Sequence, residues 1–214
     1  MTFGKIDYIN LLPFHVFIKS SPLSSRFKRA LLKHKSYPAE INKKFIQKKV
    51  DAAFISSIRS RYKNCLDVGI VAKKEVWSVI VLEGEDSSDV ESESSNALAK
   101  ILGVKGEVLI GDKALKLYLE GRRCKDLATL WYEREGLPFV FARFCYNAHG
   151  DFYKQLTSSF VRQRVKIPHY ILKEYAEDRK VSPKNITAYL KKIHYKIEGS
   201  EKLALKRYLA KSRA

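Results

Sequence analysis

Apolar and polar positions alternate from Gly4 to Asn10 and predict a short strand, and Leu12-Pro13-Phe14 opens a helix directly after it, because proline suits the first helical turn. From Pro38 to Lys49 the spacing becomes helical, with Ile41, Phe45 and Ile46 on one face and lysines over the rest. Val50 to Ile55 is a short apolar run that reads as a buried strand, and Ser56-Ser57 after it suit a helix start. Leu66 to Ala72 and Val76 to Leu82 predict two more strands, and the acidic, serine-rich stretch from Gly84 to Glu93 predicts a loop. Ser94-Ser95 then precede a short helix over 97–102. Val108 to Ile110 reads as a strand closed by Gly111-Asp112, and helices follow over 114–119 and 126–135. Phe139 to Phe144 is a further strand, and from Asp151 onward the pattern is helical, punctuated by Pro168, Ser182-Pro183 and Gly199-Ser200.

Strands alternating with helices predict an α/β fold with a largely parallel sheet. Polar residues recur just beyond the strands: Asn10, Ser56-Ser57, Ser94-Ser95 and Gly111-Asp112. Ligands of open α/β sheets bind beyond the carboxyl ends of strands, where helix N-termini favour anions, so a small anion is the expected ligand. The serines also have a plain role as helix caps, and Asp112 as an N-cap of the helix after it; capping and ligand contact are compatible.

Charge changes this picture in one respect. The 214 residues include 41 Lys and Arg against 23 Asp and Glu, a formal net charge of +18. Residues 1–64 carry a net +11, residues 65–153 a net −4 and residues 154–214 a net +11. A lobe built from both termini with the middle of the chain inserted as a second lobe fits that split. We expect residues 1–80 and 146–214 in the first lobe and 81–145 in the second. The excess charge alone would suit nucleic acid, but its absence from the middle and its place on outer helix faces describe a solvated basic surface, so no nucleic-acid partner is expected. No apolar run is long enough to span a bilayer and the first residues lack a basic-then-apolar leader, so a cytoplasmic protein without a membrane partner is expected. Cys65, Cys124 and Cys145 are odd in number and form no C-x-x-C pair; unpaired, metal-free thiols are the expectation.

Neither a dinucleotide fingerprint, a P-loop nor a nucleophile elbow occurs. His15, His34, His149, His169 and His194 show no metal-ligand spacing, so no metal is expected. Tyr170, Tyr175, Tyr189, Tyr195 and Tyr208 interleave with basic residues, but their spacing suits core packing better than base stacking.

Taken in order, six segments resemble the chorismate dehydratases of the futalosine route to menaquinone. They are Gly4 to Pro13; Asp51 to Ser57; Trp77-Ser78-Val79-Ile80-Val81; Ser92 to Leu98; Leu109 to Leu115; and Asp126 to Trp131, running on to Gly136 to Ala142. The resemblance implies a two-lobed fold like type II periplasmic binding proteins, with the ligand cleft between the lobes. It implies loss of water from chorismate to give 3-[(1-carboxyvinyl)oxy]benzoate, without cofactor or metal. Asn10 matches the family's functional asparagine. Ser56, Ser57, Ser78, Val79, Ser94, Ser95, Gly111 and Asp112 fall on the positions implied to bind substrate. An amide is no general base, so Asn10 is expected to orient and polarise, with a substrate carboxylate taking the proton. The chain is shorter than the family between the serine-rich helix and Leu109, which implies a smaller second lobe, and Glu93 stands where the family often has a basic residue. A solute-binding protein of the same fold, holding a small carboxylate without catalysis, is the alternative.

Overall fold

A computed structural model of the chain describes residues 1–31, 33–61 and 64–213. In chain order its elements are β1 (Phe3–Lys5), α1 (Leu12–Ser20), α2 (Ser25–Leu31), β2 (His34–Lys35), α3 (Pro38–Ile46), β3 (Ala52–Ser56), β4 (Asn64–Ala72) and β5 (Val79–Leu82). There follow α4 (Glu93–Leu102), β6 (Glu107–Ile110), α5 (Gly111–Leu119), β7 (Cys124–Asp126), α6 (Leu127–Glu135) and β8 (Phe139–Tyr146). The chain ends in α7 (Gly150–Arg162), α8 (His169–Arg179), α9 (Pro183–Leu190), β9 (Ile193–Lys196) and α10 (Gly199–Lys211).

Local chemistry accounts for the helix starts. Pro13, Pro38 and Pro183 sit in first turns, where no backbone N–H is required of them. Ser92 caps α4 by accepting from the Ser95 N–H, and Asp126 caps α6 by accepting from Ala128 and Thr129. The expected cap roles move accordingly: Ser94 and Ser95 lie inside the first turn of α4, Ser56 makes no side-chain cap, and the N-cap of α5 is Ile110 rather than Asp112.

The strands form two sheets. A six-stranded sheet runs β2-β1-β3-β8-β4-β9, and a three-stranded sheet runs β6-β5-β7. Only β1–β2 and β1–β3 pair in parallel among the described strands; the other pairings are antiparallel. The expectation of a largely parallel sheet is therefore corrected: β8 threads antiparallel between β3 and β4, a pairing of distant segments that strand–helix alternation does not encode. The expected strand over 4–10 stops at Lys5, and Ile9–Leu11 is instead a 3-10 turn leading into α1. The short β2 and the edge strand β9 were not expected, the latter because it lies within a stretch of helical spacing.

The chain leaves the large sheet at Ala72 and returns to it at Phe139, and these two residues are register partners. Residues between them build the small sheet. Strand β8 thus belongs to the large sheet, although the expected boundary at 145 would have put most of it in the second lobe.

The core of the large sheet is aromatic. Phe14 meets Phe54, Phe144 and Phe160 edge-on, with centroids 5.2, 5.9 and 5.1 Å away, the geometry preferred by aromatic quadrupoles. Cys65 and Cys145 are register partners on β4 and β8, and a disulfide joins them; only Cys124 is free. This corrects the expectation of three unpaired thiols. The two cysteines are 80 residues apart in sequence, and only the β4–β8 register sets them face to face.

Candidate active site

Between the two sheets lies a narrow cavity lined by Tyr8, Asn10, Ser56, Ser78, Ser92 and Ser95, with Val79, Gly111 and apolar side chains completing its wall. Its interior is about 60 Å³, room for about four waters. Every polar side chain in the lining is uncharged at neutral pH, so the cavity offers hydrogen bonds without a strong side-chain base. A larger groove of about 730 Å³ lies against α7, α8, α9 and β9, but its floor is apolar and its charged groups stand at the rim.

Asn10 is held through its backbone while its amide oxygen is left open. Its backbone carbonyl accepts a 2.6 Å hydrogen bond from the Tyr195 hydroxyl on β9. Its amide oxygen is buried and has no hydrogen-bond partner. A buried acceptor left open carries a desolvation cost of about 1–3 kcal/mol, which a bound donor relieves. Next to it, the Tyr189 hydroxyl pairs with Ser78 Oγ at 2.8 Å. Burial pushes the Tyr189 phenol well above its ordinary range, so it stays protonated and available as a donor.

The serines divide into two groups. Ser56 Oγ accepts from the Asn42 amide at 2.8 Å, while the Ser56 N–H donates to the Asn42 carbonyl oxygen at 3.1 Å, so α3 fixes its orientation toward the cavity. Ser92 and Ser95 bond to each other at 2.8 Å at the start of α4. Ser57 and Ser94, by contrast, are occupied with structure and do not line the cavity. Ser57 donates to the Val140 carbonyl at 2.5 Å, and Ser94 Oγ accepts from the Ile58 N–H at 3.2 Å. Asp112 also stays outside the lining: it accepts the Ile9 N–H at 2.9 Å and pairs with Arg179 at 2.7 Å. Glu93, which stands in the serine-rich motif, turns outward to Arg59.

Two backbone features shape the wall. Trp77, just before Ser78, has φ +63°, a left-handed conformation that a bulky residue adopts only when held there. Asp126 does the holding, accepting from the Val76 and Trp77 N–H groups at 2.9 and 2.6 Å. Gly111 has φ +71°, and a Cβ placed on it would lie 2.7 Å from Cζ of Tyr8. The Tyr8 hydroxyl in turn donates to Glu91, and burial together with that carboxylate raises its pKa far above the ordinary range.

Of the residues singled out from sequence, Asn10, Ser56, Ser78, Val79, Ser95 and Gly111 thus meet around one cavity, and Ser57, Ser94 and Asp112 support its walls. Tyr8 and Ser92 were missed as lining residues, although both stand inside the motifs that carried the resemblance. Tyr189 and Tyr195, expected as core aromatics, do pack into or against the core, and their hydroxyls bond to the lining residues Ser78 and Asn10 from behind the wall. Among the described residues, no group of three His, Cys, Asp or Glu side chains is placed to hold a metal ion, and no helix is long and apolar enough to cross a membrane.

Comparison with known proteins bears on this cavity. A family model described as menaquinone biosynthesis matches residues 90–214. The chain is 46% identical over 220 residues to a chorismate dehydratase of Campylobacter jejuni subsp. jejuni, covering 100% of this chain and 98% of that protein. It is 26% identical over 259 residues to a chorismate dehydratase of Thermus thermophilus, covering 96% and 92%. In fold it is similar to protein AF1704 from Archaeoglobus fulgidus, with a TM-score of 0.75 at 14% identity over 99% of this chain and 96% of that one. An ABC transporter from Parabacteroides distasonis is similar at a TM-score of 0.58 and 16% identity, over 100% and 92% of the two chains.

Proposed function

This chain belongs to the chorismate dehydratase family of menaquinone biosynthesis, and from that premise we propose that it removes water from chorismate to give 3-[(1-carboxyvinyl)oxy]benzoate, with Asn10 as the residue that polarises the substrate. The observation that carries the reading is the open acceptor: the amide oxygen of Asn10 is buried without a partner in a cavity otherwise lined by hydroxyls. The substrate hydroxyl is a donor that would satisfy it.

The reaction balances without an outside reagent. The C3–H bond of chorismate breaks and its electron pair becomes the new ring double bond. The C4–O bond breaks, and the departing hydroxide leaves as water with the proton. Aromatisation supplies the driving force, so the protein has to hold the ring, align the two bonds and assist the leaving oxygen. Asn10 accepts from that hydroxyl through its amide oxygen and so orients the C4–O bond, and Ser78, oriented by Tyr189, stands beside it as a donor to the leaving oxygen. The lining has no histidine or carboxylate to take the C3 proton, which favours a carboxylate of the substrate as acceptor. Ser56 and Ser95 suit the carboxylates as neutral donors, with Ser92 donating to Ser95 and orienting it.

We also propose that the lobes follow the sheets, with residues 79–138 as the second lobe and the remainder as the first. A ring-sized dianion exceeds the present interior of about 60 Å³, so the lobes would part to admit it and close around it. The test is incubation of the purified protein with chorismate, followed by absorbance and mass. An aromatic product lighter by one water is expected. Recovery of unchanged chorismate that nonetheless binds the protein would make it a carrier instead.

A further inference from the structure

Asn10 can orient the substrate only if the segment that bears it is itself held in place. That segment is not held by a strand, since β1 ends at Lys5. Besides the Tyr195 bond to the Asn10 carbonyl and the Tyr8 bond to Glu91, its backbone is held from two helices distant in sequence. The Ile9 N–H donates to Asp112 Oδ1 at 2.9 Å, at the start of α5. The Asp7 carbonyl accepts from Arg179 Nη2 at 2.9 Å, at the end of α8. Arg179 also joins the two anchors: its Nε donates to Asp112 Oδ2 at 2.7 Å, and its Nη2 lies 3.3 Å from Asp7 Oδ2. The guanidinium is only 13% exposed and stacks on the Tyr175 ring at 4.1 Å, while the Tyr175 hydroxyl donates to Asp7 at 3.0 Å. Lys5 and Lys35 complete the neutralisation of Asp7, at 2.9 and 2.7 Å.

We propose that Arg179 is a positioning residue for the dehydration: by bridging Asp7 and Asp112 it clamps the peptide units on either side of Tyr8 and so fixes Asn10 when the cleft is closed. This rests on the dehydratase reading above. The planar fork of arginine suits the role, because one side chain must serve two carboxylates and a carbonyl in fixed directions. Asp112 follows β6 of the small sheet, whereas Asp7, Ile9 and Arg179 belong to the elements around the large sheet. Closing the cleft is therefore what delivers Asp112 to Arg179 and to the Ile9 N–H, and it couples closure to the placement of Asn10.

The experiment compares wild type with Arg179→Ala and Arg179→Lys, each assayed on chorismate, with melting temperature and amide hydrogen exchange of residues 7–11 measured in parallel. Arg179→Ala should lose about tenfold or more in kcat, with a smaller change in KM. Arg179→Lys should remain impaired, because an ammonium lacks the fork. Added guanidinium should restore part of the kcat of Arg179→Ala and none of that of Asn10→Ala. Exchange at Ile9 should quicken in both Arg179 variants while the amides of β3 and β8 keep wild-type protection. Unchanged kcat in a folded Arg179→Ala protein overturns the proposal, as does a loss of kcat with Ile9 still protected. If wild type does not turn over chorismate, the dehydratase reading fails and exchange at Ile9 decides the clamp alone: quickened exchange sustains it, and wild-type protection overturns it.

Discussion

The hydroxyl of Tyr195 donates to the backbone carbonyl of Asn10 at 2.6 Å, linking residues 185 apart in sequence. The last strand of the large sheet thereby reaches the residue on which the proposed chemistry rests. Asn10→Ala should lower kcat on chorismate by about 10²-fold while the melting temperature changes far less, because the amide oxygen has no partner in the fold and the structural loss is confined to one side-chain bond, to Tyr189. Tyr195→Phe removes one bond to the same residue and should cost about 1 kcal/mol of stability along with a smaller loss of rate. Parallel steady-state assays and thermal unfolding check both. Near-normal turnover by folded Asn10→Ala would take Asn10 out of the mechanism.

Gly111→Ala should damage the cavity through Tyr8. The alanine would have to adopt φ +71° and place its Cβ 2.7 Å from the Tyr8 ring. Strain at such a position is about 1–3 kcal/mol. Displacing Tyr8 from the cavity wall should raise KM for chorismate as well. In the Tyr8→Ala background the ring clash is gone, so Gly111→Ala should then cost stability only through its backbone. An equal penalty in both backgrounds would argue against the contact.

His15 makes stability depend on pH. It is buried on α1, both ring nitrogens lack hydrogen-bond partners, and the nearest carboxylate oxygen, on Asp7, is 3.9 Å from Nδ1. Burial, with Lys5 adding to it, holds its pKa down at about 3 against an ordinary value of 6.5. Between those values the unfolded chain takes up a proton that the folded chain refuses. Stability should therefore fall as pH drops below 6.5, by up to about 1.4 kcal/mol per pH unit from this residue. His15→Leu should flatten that slope in denaturant titrations at pH 7, 6 and 5. A slope unchanged by the substitution would assign the pH dependence to other groups.

The disulfide predicts a thiol count. Denatured without reductant, the chain should titrate one thiol, that of Cys124, and three after reduction. Closing a loop of 80 residues restricts the unfolded chain, and the chain-entropy relation puts the effect at about 4.5 kcal/mol. Cys65→Ser should lower the denaturant midpoint under oxidising conditions and leave it unchanged under reducing ones. Three titratable thiols without reductant would contradict the pairing.

The sequence carried the site better than it carried the sheets. Asn10, Ser56 and Ser95 stand at the ends of short, strongly patterned segments, so polar residues beyond apolar runs marked part of the cavity, whereas Ser78, inside the expected strand over 76–82, came only with the family resemblance. Local spacing also located α1, α3, α5 and α6. Pairing was not legible, because β8 lies between β3 and β4 for reasons of long-range packing, and the Cys65–Cys145 bond depends on that register. Ser57 and Ser94 look like their neighbours in sequence, yet one side chain serves the Val140 carbonyl and the other the Ile58 N–H. Arg179 gave no signal at all: it is one of many basic residues in a helical stretch, and only the meeting of α8 with α5 sets it apart.

The pairing of Ala72 with Phe139 has a consequence for how this molecule can vary. An excursion whose two ends lie side by side behaves as a cassette: residues can be added to it or deleted from it without shifting the trunk on either side. Differences in length among relatives have a place to be absorbed there at little cost to the six-stranded sheet. The same geometry invites a graft. A short hairpin turn joining Ala72 directly to Phe139 should leave the trunk able to pair its strands, while removing one entire wall of the pocket, so architecture and chemistry could be separated in a single deletion.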